Sequence, residues 1–149
     1  MASQQLNTVL RVETDREQKA SQALDLAQQH LTGQKQKLSS LQQYRLDYLR
    51  EIQQSGRQGG VDVRNYHQHL QFVGKLDKAI AQQMQMVSQA NLVVDQRRRQ
   101  WLEQQKRRKA VDLLLDKKRA EAMAVANRQE QQMLDEFATQ KFLRAKTGY

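Results

Sequence analysis

The chain has no cysteine and no proline, and only 5% of its residues are aromatic. Without cysteine there is no disulfide framework and no thiolate metal site, which fits a reducing compartment. Without proline nothing forces a break in a long helix. A hydrophobic content of 38% over 149 residues leaves few large side chains to fill a compact core. No apolar run approaches the ~20 residues a membrane span needs; Leu113-Leu114-Leu115 is typical of the stretches present. Met1-Ala2-Ser3-Gln4-Gln5 lacks an apolar signal core, so a cleaved secretion signal is not expected. Glycine is scarce too, and three of the six glycines fall within Ser55-Gly56-Arg57-Gln58-Gly59-Gly60. What is abundant is glutamine, 27 residues, and positive charge, Lys+Arg 25 against Asp+Glu 16, net +9. Such a composition belongs to a long-helix protein or to a disordered chain, and periodicity decides between them.

From about 3 to 54 the chain carries a seven-residue repeat. One series reads Leu10, Glu17, Leu24, Leu31, Leu38, Arg45, Ile52, and the other Leu6, Glu13, Ala20, Ala27, Gln34, Leu41, Tyr48. Ten of these fourteen positions are apolar. Alternating steps of four and three make the narrow seam of a left-handed coiled coil. From about 62 to 143 a second repeat runs through Tyr66, Val73, Ile80, Val87, Val94 and Trp101, flanked by Leu70, Leu76, Met84 and Ala90, and weakens after Trp101. Asp62 has the chemistry of an N-cap, and Val61 and Tyr66 the spacing of a hydrophobic staple. Gly33 and Gly74 stand alone inside helices, each costing up to ~1 kcal/mol against Ala.

Two helices with complementary seams and a Gly-rich loop at about 55–61 predict an all-α fold. It is a long antiparallel two-helix coiled-coil hairpin with a C-terminal helical overhang, one domain over 1–149. At ~1.5 Å per residue the helices measure ~75 Å and ~120 Å. Reversal near Gly59 sets residue i opposite roughly residue 116 − i. Everything after about Leu115 then lacks a partner, yet Leu115, Ala122, Val125, Met133 and Phe137 remain apolar. An apolar stripe on a lone helix is a binding surface or a bent-back tail.

Chemistry is mostly absent. The glycine spacings fit neither phosphate-binding fingerprint, and no catalytic constellation is found. His67 and His69 are two apart and diverge on a helix, where zinc pairs prefer four; with His30 they read as solvated polar residues. The chain is expected to be no enzyme, with no cofactor and no metal. Charge is more informative. Between Arg97 and Arg119 ten basic residues face three acidic ones, net +7. Such a window suits nucleic acid, anionic lipid or an acidic protein surface. The clusters wind around the helix, few aromatics are interleaved, and a basic-zipper reader would place them before a parallel zipper. A basic coiled-coil nucleic-acid binder is therefore the alternative to a protein-binding rod.

The order of motifs carries a resemblance. Leu38-x-x-Leu41-x-x-Tyr44-Arg45-x-x-Tyr48 is followed by the Gly-rich loop, Asn65-Tyr66 and Phe72-x-x-x-Leu76-x-x-Ala79-Ile80. Then come Arg98-x-x-Trp101 and a run from Asn127 to Ala138 containing Asp135-Glu136-Phe137. Nearly end to end, the chain resembles the flagellar export protein FliJ family. The stalk proteins of virulence type III secretion share the hairpin, but the tyrosine pair and the Asp-Glu-Phe ending lean to the flagellar branch. The resemblance implies a cytoplasmic stalk and adaptor at the inner face of the membrane, peripheral to it through its partners. Those partners are a hexameric export ATPase, an export-gate membrane protein and export chaperones, with no specific nucleic acid. It implies that the chain ends enter the ATPase ring and promote its assembly, while the loop end reaches the gate. Gate contacts carry over to Leu41, Tyr44, Tyr48, Phe72, Leu76 and Ala79. The pairing rule puts 44 opposite 72, so these share one level. Leu41, Tyr48 and Leu76 fit the seam, whereas Tyr44 and Phe72 fall beside it and are better placed for contacts. Ring contacts are expected at Arg97, Arg98, Arg99, Lys106, Arg107, Arg108, Met133 and Phe137. A general export chaperone using the apolar overhang is a third reading.

Overall fold

The computed structural model describes residues 2–57 and 63–147. They form two helices, α1 over Ser3–Arg57 and α2 over Val63–Lys146, with no strand among the described residues. α1 starts with a reciprocal device: the Ala2 carbonyl accepts from Leu6 N–H at 3.1 Å, and Gln5 Oε1 accepts from Ala2 N–H at 3.3 Å. It runs on through Ser55 and Gly56, which the sequence assigns to the loop; one glycine in a last turn costs too little to end a helix. Gly59, Gly60, Val61 and Asp62, with the loop centre, the cap and the staple read from them, lie outside the described residues. α2 ends where Thr147 turns back, its N–H and Oγ1 each donating to the Leu143 carbonyl at 3.0 Å. Arg144 and Lys146 place positive charge on that last turn.

Two compact units make up the chain. Gln18–Glu103 is one, and the described residues of Met1–Glu17 and Gln104–Tyr149 are the other. In the first, α1 and α2 pair as an antiparallel helical hairpin. Leu24, Ala27 and Val94 form its buried cluster, with Leu31 and Trp101 packed against it; Leu76 and Ala90 are buried elsewhere in the unit. All stand at seam positions of the repeats, and each fully buried Leu stabilises by roughly 1.5–3 kcal/mol. Leu70 and Met84, read as flanking the seam, are instead more than half exposed. They stand one residue beyond the second seam line, which runs His69, Leu76, Gln83, Ala90. In the other unit Leu6 and Leu115 are the buried apolar residues.

Four of the fourteen α1 seam positions are polar: Glu13, Glu17, Gln34 and Arg45. Every one is hydrogen-bonded across the seam to α2. In the hairpin unit Gln83 Nε2 donates to the Gln34 carbonyl and Oε1, at 2.9 and 2.8 Å, and Arg45 Nε donates to Asp77 Oδ1 at 2.6 Å. In the other unit Gln104 Nε2 donates to the Glu13 carbonyl at 3.2 Å and to its carboxylate, and Arg108 Nε donates to Glu17. A polar group left unpaired in a seam loses its water without replacement. Each bond therefore holds one alignment against sliding, as polar seam residues do in coiled coils. Gln34–Gln83 and Glu13–Gln104 lie one residue from the 116 − i pairing. Arg45–Asp77 and Glu17–Arg108 lie six and nine residues beyond it. Helical side chains lean towards their own N-terminus, so in an antiparallel pair long side chains at such an offset lean towards each other.

Beyond the stretch paired with α1 the second unit changes character. Every described residue from Arg119 to Thr147 is exposed. The seam line would continue through Ala122, Val125, Gln129, Gln132 and Glu136, polar from Gln129 to Glu136, and reaches exposed Leu143 one repeat later. Met123, Ala126, Met133 and Phe137 fall on another line, turned roughly 100° about the helix, on which Glu130 also stands. Met133 and Phe137, read from sequence as a continuation of the overhang stripe, thus face away from the seam. They are 70% and 66% exposed.

Candidate functional site

Near the loop end of the hairpin unit, the heptad places Tyr44 and Tyr48 on α1 and Phe72 and His69 on α2 in one cluster. Tyr44 meets Phe72 edge-on, with ring centroids 6.2 Å apart and planes at 86°. This is the pair that the 116 − i rule selects. Tyr48 packs on Phe72 at 4.6 Å and on His69 at 5.5 Å. The Tyr48 hydroxyl and His69 Nδ1 share a hydrogen bond of 2.5 Å, its direction set by the tautomer. His69 is therefore not the solvated histidine of the sequence reading but a half-buried member of the cluster. The signal was available: residue 48 pairs by rule with 68, one step from His69. His30 and His67 are exposed.

Around this cluster the six carried-over positions separate by exposure. Leu76 is buried, while Leu41, Tyr48, Phe72 and Ala79 are half-buried. Tyr44 is exposed, at 51%. What the level offers a partner is one free tyrosine face, the accessible part of Phe72, and polar tips on an apolar body. That combination is enriched where proteins bind one another.

The basic positions divide between the units. In the hairpin unit Arg97 donates to Gln100 Oε1 at 3.2 Å, Arg98 pairs with Asp95 at 3.5 Å, and Arg99 Nε donates to the Asp95 carbonyl at 3.4 Å. Bonds this long between exposed groups hold the side chains weakly, leaving their charge available. In the other unit Lys106 and Arg107 are exposed, but Arg108 faces inward, its Nη1 reaching Asp112 at 2.6 Å beside the Glu17 bond. The Glu17 hydrogen bond raises the Arg108 guanidinium above its usual pKa, against the pull of partial burial, and Asp112 adds to the rise. That cation works within the seam. Among the described residues no group of three or more His, Asp or Glu could hold a metal ion, and no helix is long and apolar enough to cross a membrane.

Comparison with known proteins gives three findings. A family model described as "Flagellar FliJ protein" matches residues 2–147. The chain is 28% identical over 109 residues to the flagellar FliJ protein of Escherichia coli (strain K12), covering 73% of this chain and 74% of that one. It is 32% identical over 85 residues to the flagellar FliJ protein of Salmonella typhi, covering 57% and 58% respectively.

Proposed function

Because the chain belongs to the flagellar FliJ protein family, and so to the components of the flagellar export apparatus, we propose that it is the non-catalytic stalk and adaptor of that apparatus. In this reading its terminal segments engage the hexameric export ATPase and promote ring assembly. The aromatic level near the loop engages the export gate, and export chaperones dock on the same protein. It acts in the cytoplasm at the inner face of the membrane, held there by its partners.

The observation that carries the reading is the continuously exposed α2 segment from Arg119 to Thr147, with Met133 and Phe137 bare on it. A helix keeps such a stripe for a partner. Arg97, Arg98, Arg99, Lys106 and Arg107 supply positive charge that favours encounter with acidic ring surfaces and is screened by salt. Arg108 contributes by holding the seam. For the gate, Tyr44 and Phe72 are the contact residues, Leu41 and Ala79 border them, and Tyr48 and Leu76 support them from the seam.

The test is hydrolysis by a purified export ATPase with and without the chain. Wild type raises turnover, and M133S/F137S loses most of that rise while keeping its helix content. Turnover indifferent to the wild-type chain refutes the ATPase role. Binding to any duplex with a steep loss on added salt supports the nucleic-acid alternative instead.

A further inference from the structure

The two units differ in what holds α1 to α2. In the Gln18–Glu103 unit the α1 seam from Ala20 to Ile52 is polar only at Gln34 and Arg45. In the other unit, residues 3–17 of α1 offer Leu6, Leu10, Glu13 and Glu17 to the seam. The facing stretch of α2 offers Gln104, Arg108, Val111, Leu115 and Lys118. Five of those nine side chains are polar. Leu6 and Leu115 are buried, whereas Leu10 and Val111 are only half-buried.

When two paired helices part, apolar groups lose a cover that water does not replace, whereas polar groups exchange one another for water. Water already reaches the Glu17–Arg108 pair, whose side chains are 17% and 25% exposed. The bonds from Gln104 to Glu13 and from Arg108 to Glu17 therefore fix the alignment of residues 3–17 more than they hold them down. Local opening favours the stretch with the fewest buried apolar side chains, and that stretch is this one. What lies beneath it is apolar and leads onto open surface. Val111 and Leu115 stand on the seam line that goes on through Ala122 and Val125, both exposed. At the end of α1 an open groove of about 420 Å³ is lined by Ser3 together with Lys118, Glu121, Ala122, Val125, Ala126 and Gln129.

We infer that residues 3–17 of α1 are a displaceable strap, closed in this structure, which opens from α2 as one segment while the Gln18–Glu103 unit stays paired. Opening bares Val111 and Leu115 and so lengthens the exposed line of Ala122 and Val125. The polar bonds bring the strap back to a single alignment when it closes. In the stalk reading the strap sets how much of the ATPase-facing surface is uncovered. That consequence rests on the reading, whereas the opening itself does not.

The free full chain tests this without the ATPase, so its outcome is separate from the fate of the stalk reading. The chain has no cysteine, so a single introduced thiol reports on one site. Leu115 and Val94 are 2% and 5% exposed, equally hidden in the closed structure. Under native conditions L115C is labelled by a thiol reagent at least tenfold faster than V94C. Adding L6A speeds the labelling of L115C. Adding E13L/Q104L, which keeps the Glu17–Arg108 bond, slows it at least tenfold, and neither addition changes the rate of V94C. Hydrogen exchange on the unmodified chain guards against an opening made by the substitutions themselves. There the amides of residues 7–17 exchange at one common rate, at least tenfold faster than those of residues 24–34. Equal labelling of L115C and V94C overturns the inference. So does exchange that slows steadily from residue 7 to residue 17, which is the signature of a fraying helix end.

Discussion

The hairpin unit and the terminal stretch of α2 are built from the same helix and the same repeat length, yet they use apolar residues in opposite ways. Within Gln18–Glu103, Leu24, Ala27, Leu76, Ala90 and Val94 are all below 10% exposure. From Arg119 on, Met123, Met133, Leu134 and Phe137 are all above 50%. Helix content does not distinguish them, and neither does apolar content. What distinguishes them is cover: α1 packs on the seam of the hairpin unit, whereas from Arg119 on even the seam-line residues Val125 and Leu143 are exposed, beside Met133 and Phe137 turned roughly 100° away.

Substitutions of equal size at the two kinds of position should therefore give unequal effects. Leu24→Ala should cost about 2–3 kcal/mol in urea unfolding, from lost burial and a partly collapsed void. Phe137→Ala removes a larger side chain and should stay within about 0.5 kcal/mol. Equal costs would mean that the terminal stretch packs on something in the free protein.

The polar seam residues sharpen the comparison next. Glu17→Ala leaves Arg108 with Asp112 alone and should lower the urea midpoint. Replacing both partners, E17L/R108L, should recover that loss or exceed it, because a part-buried ion pair gives way to apolar contact. The cost of the double change appears in alignment: cross-linking of paired cysteines placed along the two helices should report a mixture of registers where wild type gives one. A single register in the double variant would show that the apolar residues alone set the alignment.

Tyr48→Phe keeps the ring on Phe72 and removes only the hydroxyl bonded to His69 Nδ1. The expected loss is about 0.5–1.5 kcal/mol in thermal or urea unfolding. No change would mean that water serves His69 as well as the tyrosine does. The smallest expected effect has the opposite sign. Gly33→Ala and Gly74→Ala each add a methyl into open space and should stabilise by about 0.4–1 kcal/mol. A destabilised Gly33→Ala in the free chain would reveal a close contact at that position.

Much of this architecture was legible in the sequence. The seven-residue spacing placed both helices within a few residues of their observed ends, and its positions include the buried side chains, although Tyr66 on the same repeat is 54% exposed. The 116 − i rule picked out Tyr44 with Phe72. Spacing could not assign the partners of Glu13, Glu17, Gln34 and Arg45, since those bonds depend on how far and in which direction each side chain leans. His69 was legible as a seam position from its spacing to Leu76 and Gln83, whereas its bond to the Tyr48 hydroxyl was not. The sequence reading gave Met133 and Phe137 as apolar residues of the overhang, and their phase follows from Phe137 standing one residue beyond Glu136 of the repeat. Of the candidate site, sequence supplied the positions and the structure their differing exposure, with Leu76 buried and Tyr44 open.

One measurement bears most directly on the claim that the turned stripe is a working surface. It is the turnover of a purified export ATPase against increasing amounts of wild type, M133S/F137S and L24A, each checked for helix content. Turnover should rise with wild type, rise nearly as far with folded L24A, and stay close to its unstimulated level with M133S/F137S. Full stimulation by M133S/F137S would contradict the account, leaving the exposed residues of the terminal stretch without the role assigned to them.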